Sequence, residues 1–314
     1  MKRKDIFYKD KEELTQPLTH ITGEISDPTL KFIDELYGAA DVLSIENAKK
    51  HQRVLFVLAV SGTLLTMFFL LYDEAELHGL ILACLVMIVF LFIIRKIADN
   101  SEYHRKYIEY RVLAETLRIQ FFLSVAGVQR QVVEILPWFI KQSLPWIESV
   151  LKTVPKMQNP EKNPILNFWI LDQKSYRGSA LVNAENKKYT DNRTANVVLV
   201  ITILAYIFTL GFEIYVYTQT PGNLNINAVR AILKIVVGTM SAIALFTSSY
   251  YGKMSLTYTI NDHKRMIELY NYVESEITKN GESEEIIVFL ARESLIENST
   301  WYSYQTKNKP DLVF

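Results

Sequence analysis

The chain has 314 residues, of which 49% are hydrophobic and 22% charged, and its mean hydropathy is +0.08. The two classes separate into apolar runs almost without charge and charged stretches between them, a partition that excludes an ordinary soluble enzyme of two average domains. With 34 basic against 34 acidic residues there is no basic excess to bind nucleic acid by counterion release. A single cysteine, Cys84, excludes an intrachain disulfide and a multi-cysteine zinc site.

Residues 1–48 open with MKRKDIFYKDKEE, a charged stretch expected to be loose at first. No apolar core of a signal peptide stands in it. From Asp27-Pro28 onward, Leu30, Ile33, Leu36, Ala40 and Leu43 follow helical spacing, predicting an amphipathic helix that leads into the first apolar run.

Four runs reach spanning length: 54–72, 77–94, 195–217 and 228 to about 249. At ~1.5 Å rise per residue, each covers a hydrocarbon core of ~30 Å. Asp73-Glu74-Ala75-Glu76 joins the first two, and residues 218–227, with Pro221-Gly222 and no charge, join the last two. Lys49, Lys50, Arg53, Arg95 and Lys96 flank the first pair. Lys187, Lys188, Arg193, Lys253, Lys264 and Arg265 flank the second. By the positive-inside rule both termini and the central segment are cytoplasmic, with the chain in the inner (plasma) membrane.

The central segment begins with a long helical pattern through Ala126, ended by Gly127. Leu-Pro-Trp then occurs at 136–138 and again at 144–146. Prolines at helix starts predict two short helices; two tryptophans can instead mark an interfacial segment. A turn-rich break is expected at 159–164. Phe168, Trp169, Leu171, Tyr176 and Leu181 predict the helix returning to the third run. After the fourth run a helix is expected to about Ile277, a stop at Lys279-Asn280-Gly281-Glu282, and a last helix from Glu284 to Trp301. The expected fold is an all-α integral membrane protein, with four transmembrane helices as two hairpins and a helical cytosolic domain. Its segments are the N-terminal lead-in 1–48, hairpin 49–98, cytosolic domain 99–192, hairpin 193–250 and C-terminal helices 251–314.

Glycine-rich phosphate loops, GxSxG and HExxH are absent, and His20, His51, His78, His104 and His263 show no metal spacing. Neither an enzyme nor a metal or cofactor site is expected. Chemistry concentrates instead in intramembrane charge. Glu213 lies about 6 Å inside the outer end of the third run and Lys234 about 9 Å inside the fourth, so the two can pair. Arg230, Lys234, Gly238, Ser241, Leu245 and Ser248 recur on one face of the fourth run. Such a face either lines a pore among several protomers or packs closely against a neighbouring helix. In the first run Ser61, Gly62, Thr63 and Thr66 carry the same two readings. Centrally, Arg111, Arg118, Arg130 and Lys141 can bind an anionic nucleotide beside aromatic rings. The plainer reading pairs Glu115 with Arg111 and Arg118 along one helix face.

The segment from Tyr107 to Phe122, YIEYRVLAETLRIQFF, resembles the YR-x-LAE-x-LR-x-Q stretch of SLATT-type membrane effectors. Ala40-Asp41-Val42-Leu43 with Gln52-Arg53, and the closing Glu297-Asn298-x-x-Trp301, are similar to that family as well. The resemblance, to the four-transmembrane subgroup that accompanies SMODS and SLOG sensors, runs from about residue 30 to near the end. It implies an effector of bacterial antiviral defence that oligomerises and permeabilises the inner membrane in abortive infection. It also implies a cyclic nucleotide or other nucleotide-derived signal, made or sensed by a nucleotidyltransferase or SLOG protein. Residues 1–48 are too short for a SLOG fold, so sensing falls to the central segment or to a partner. The competing expectation is a constitutive ion channel or membrane scaffold that senses no nucleotide.

Overall fold

A computed structural model describes residues 3–12, 27–157, 165–218, 225–252 and 256–308, with side chains of the fourth apolar helix described to Ser248. Every regular element among them is helical: α1 (Arg3–Glu12), α2 (Pro28–Glu74), α3 (Leu80–Ser101), α4 (Tyr103–Val125), α5 (Val132–Ile135), α6 (Trp138–Ser143), α7 (Pro145–Leu151), a π-helical turn (Leu166–Leu171) running into α8 (Asp172–Thr218), α9 (Ile226–Gly252), α10 (Leu256–Asn280) and α11 (Glu284–Lys307). The expected break at 159–164 and most of the loop at 218–227 lie outside the described residues. Among the described residues, four helices are long and apolar enough to cross a membrane. Contacts divide the chain into two units. A core unit comprises α1, α2 to Lys50, α4–α7, α8 to Asn183, α10 from Tyr258 and α11. A span unit comprises α2 from His51, α3, α8 from Ala184, and α9.

Local chemistry sets most boundaries. Asp27 caps α2, its Oδ1 accepting from the amides of Thr29 at 2.7 Å and Leu30 at 3.1 Å. Ile33, Leu36, Ala40 and Leu43 are buried, as the helical spacing requires. Gly127 closes α4 at φ 73° and Gly281 closes α10 at φ 80°, a conformation that costs a residue with a Cβ. Between α3 and α4 the break falls at Glu102, a non-glycine residue at φ 54°. Pro145 begins α7 at its first turn, where its missing N–H costs nothing. The carboxylate of Glu282 accepts from the amides of Ile165 and Leu166, anchoring the start of the π-helical turn.

The core unit is a close-packed apolar interior. Trp169 stacks on Phe122 with ring centroids 5.0 Å apart, and Leu113, Leu117, Leu123, Ile147 and Leu290 have no exposed surface. Trp146 is buried and donates its indole N–H to Glu109 at 3.0 Å, whereas Trp138 is exposed. The interfacial reading of paired tryptophans therefore does not describe Trp146. A second departure is at the N-terminus: residues 3–12 form α1 rather than a loose lead, and Phe7 is completely buried. Phe7 packs against Tyr110 and Trp146, while Asp10 accepts from Lys106 at 2.8 Å and from Tyr110 at 2.6 Å. A helix this charged has no apolar stripe; one aromatic and a few ion pairs hold it, and none of them shows in its periodicity.

The span unit has the opposite character. Large apolar side chains such as Phe92, Phe208 and Leu245 are about two-thirds exposed, a distribution suited to an apolar solvent.

Candidate functional site

Within the span unit, α9 is tied to two neighbours. The Glu213 carboxylate on α8 receives both Nε (2.8 Å) and Nη2 (2.6 Å) of Arg230, a two-pronged pair. Lys234 does not take Glu213 as its bonding partner; its Nζ reaches Glu74, at the end of α2, at 2.9 and 3.1 Å. The sequence expectation of a Glu213–Lys234 pair is corrected accordingly: Arg230 is one turn nearer, and Glu74 is supplied by a helix 160 residues away. Below that pair, a Cβ on Gly238 would meet Leu70 at 2.6 Å and one on Gly62 would meet Phe246 at 2.5 Å. Glu74, Leu70 and Gly62 thus face Lys234, Gly238 and Phe246 in antiparallel register.

Toward α8, Ser241 exchanges a hydrogen bond with Tyr206 at 3.1 Å, and Thr202 donates to the Met240 carbonyl at 3.4 Å. The polar face of α9 is therefore divided. Arg230, Lys234, Gly238 and Ser241 bind or pack against α2 and α8, while Leu245 and Ser248 are exposed. Gly62→Val is expected to lower the thermal stability of the detergent-solubilised protein by about 1–3 kcal/mol through overpacking on Phe246. Gly211→Ala, where nothing lies within 4 Å of the new Cβ, is the matched control and should shift the transition little.

In the core unit, charge is buried at the centre. Arg111 reaches Asp41 at 3.2 Å and Glu115 at 2.5 Å, and Arg118 pairs with the second oxygen of Glu115. Burial acts to push the Glu115 carboxyl up, but Arg111, Arg118 and Arg177 outweigh it and hold the group below its ordinary range. The guanidinium groups of Arg111 and Arg118 are thus engaged by carboxylates. Arg130 is exposed and Lys141 is half-buried on α6, whereas the ion pairs of Arg111 and Arg118 run to Asp41 and Glu115.

A second buried centre, not anticipated from spacing, lies beside the first. Arg177 on α8 donates Nη1 to Asp262 and to His263 on α10, each at 3.3 Å, and Nη2 to Glu297 on α11 at 3.5 Å. Arg177, Asp262 and Glu297 are all less than a tenth exposed. The closing Glu-Asn-x-x-Trp stretch has a physical role at each named position: Glu297 meets Arg177, Asn298 donates to the Val112 carbonyl at 3.2 Å, and Trp301 packs edge-on to Tyr107 at 5.8 Å. In the sequence Glu297 figures only in the resemblance of the closing Glu-Asn-x-x-Trp stretch; its partners are 120 and 35 residues away, beyond the reach of periodicity.

A cleft of about 410 Å³ also opens in the core unit, where the stacked rings of Tyr258 and Tyr304 (4.0 Å) adjoin Ser303 and Lys307. Among the described residues, no group of His, Cys, Asp and Glu is arranged to hold a metal ion.

Residues 37–129 match the model of a family described as a protein of unknown function, DUF4231. No curated protein matches the chain, and no solved structure does. Over that stretch, which takes in most of α2, all of α3 and α4, and the Asp41–Arg111–Glu115–Arg118 cluster, the chain is similar to DUF4231.

Proposed function

We propose that the protein is a multi-pass inner-membrane effector of bacterial antiviral defence, whose spans α2, α3, α8 and α9 cross the bilayer as two hairpins and permeabilise it when triggered. The observation that carries the membrane part is the inverted distribution of apolar side chains on four spanning-length helices. The lysine and arginine bias around the spans supports cytoplasmic termini. The defence role rests on the resemblance of the 107–122 and 290–301 segments to SLATT-type effectors. Triggering by a nucleotide-derived signal, or by a nucleotidyltransferase or SLOG partner, and assembly into a homo-oligomer belong to the same reading. With Arg111 and Arg118 already paired, a phosphate would have to compete with Asp41 and Glu115 for them.

One observation favours a second reading, a constitutive channel or scaffold without signal sensing. Most of the polar face of α9 is occupied in helix packing and ion pairs inside one chain, which is the commoner use of such residues.

The test is co-expression with a neighbouring sensor gene and a potential-sensitive dye. Phage challenge is expected to depolarise cells carrying the wild type. Lys234→Leu, which strands Glu74, is expected to return the signal to that of unchallenged cells, while Lys307→Leu leaves depolarisation intact. Sustained polarisation with wild-type protein present would contradict the effector reading; depolarisation without challenge would favour the constitutive channel.

A further inference from the structure

Charge counting at the centre of the core unit does not close with every group ionised. Arg111, Arg118 and Arg177 offer three positive charges, whereas Asp41, Glu115, Asp262 and Glu297 offer four negative ones. The first cluster is balanced within itself, two against two, so the surplus falls on Arg177, which faces both Asp262 and Glu297. Arg265 also reaches Asp262 at 3.2 Å, but it is half exposed and meets that carboxylate from the rim.

The geometry shows which carboxylate is under-compensated. Glu297 receives one guanidinium bond, at 3.5 Å, from the edge Arg177 does not use for Asp262. The Nε of Arg177 is buried and finds no acceptor among the described residues. Arg177 holds Asp262 on one terminal nitrogen and Glu297 on the other, and two buried carboxylates sharing a single buried guanidinium are stable when one of them carries a proton. Gln173, one turn before Arg177, and Ser294, three residues before Glu297, are also buried. Both carry a buried oxygen without a partner among the described residues.

We infer that Glu297, which shares the Arg177 guanidinium with Asp262, is a proton-binding site, and that release of its proton loosens the seat of α11 against α8 and α10. The core unit thereby gains a sensitivity to pH at this buried group. This inference is independent of the membrane-effector reading, because every residue in it belongs to the core unit.

The remaining neighbours agree on the direction. Burial, the Asp262 charge and the hydrogen bond to it push the Glu297 carboxyl up to about 8 against the opposing pull of Arg177, with Glu115 on α4 adding to the rise. Arg118 on α4 reaches this centre through Tyr270 on α10, a buried phenol held neutral mainly by desolvation. Tyr258 on α10 is pushed up to about 12, first by burial and then by Asp262 and Glu297, so it too stays neutral. His263 is driven down by burial and by Arg177, and carries no charge to offset Glu297. An acid whose affinity for protons is higher in the folded state contributes stability that is complete below the ordinary carboxylate range and is lost as pH rises toward about 8.

Infrared spectroscopy of the full-length protein in detergent, with carbonyl-labelled glutamate, tests this directly. The wild type is expected to show a protonated glutamic-acid carbonyl band at neutral pH that disappears with a midpoint near 8. Glu297→Gln should abolish that band and flatten the fall in thermal stability between about pH 5 and pH 8. Glu109→Gln, which removes the other buried glutamate whose carboxyl is pushed up by burial, should leave the band in place. No titrating glutamic-acid band in the wild type overturns the inference, as does a band that survives Glu297→Gln or vanishes in Glu109→Gln. The wild-type spectrum and the Glu109→Gln comparison decide the matter even where Glu297→Gln does not fold.

Discussion

Arg177→Met is expected to destabilise the core unit by about 3–5 kcal/mol, the range for removing one partner of a buried ion pair. Methionine keeps much of the volume of the side chain but removes every donor. Asp262 is then left with Arg265, a half-exposed cation at the rim, and Glu297 loses the guanidinium contact it has among the described residues. At neutral pH the larger part of the loss comes from Asp262, because Glu297 is held largely as the neutral acid. The physical cause can be separated from loss of packing. Replacing Arg177, Asp262 and Glu297 together by apolar residues of similar size is expected to recover most of the stability, since the desolvation cost disappears with the charges. Urea unfolding followed by tryptophan fluorescence reads this selectively: Trp138, Trp146, Trp169 and Trp301 all belong to the core unit.

Phe7→Ala has a comparable expected effect for a different reason. Phe7 is fully buried between Tyr110 and Trp146, and truncating a buried phenylalanine costs about 3–5 kcal/mol from lost transfer energy and the cavity left behind. The remaining attachments of α1 are weaker. Arg3 meets Glu109 at 2.9 Å but is nearly half exposed, and Asp10 bonds Lys106 and Tyr110 near the surface. The expected signature is therefore local as well as global. Amide protons of α1 should exchange at least about tenfold faster in Phe7→Ala, and Glu109 should lose part of the field that Arg3 supplies. Unchanged protection of α1 would show that the ion pairs, rather than the aromatic anchor, hold it.

Much of the helical architecture was legible because it is written locally. The aspartate cap and apolar stripe of α2, the glycines ending α4 and α10, and the proline starting α7 each act within a turn or two of themselves. The four apolar helices are legible for the same reason, since length and hydropathy are local sums. Long-range charge pairing was not. Lys234 finds Glu74 across 160 residues and Arg177 finds Glu297 across 120, and no periodicity distinguishes those partners from other acids at equivalent helical positions. The docking of α1 failed to show for a related reason: its one buried aromatic carries no repeat. The candidate site was half visible. Glu213, Arg230 and Lys234 stood out as charges in apolar surroundings, whereas Arg177 and Asp262 look like ordinary polar residues on charged helices until the fold buries them.

A bilayer location for the span unit underlies the proposed function, and thiol labelling in intact cells measures it directly. In a Cys84→Ala background, a cysteine at Glu76 is expected to react with a membrane-impermeant maleimide added outside, while a cysteine at Lys152 reacts only after the cells are opened. Labelling of the Lys152 position from outside, or recovery of the protein in the soluble fraction without detergent, would contradict it.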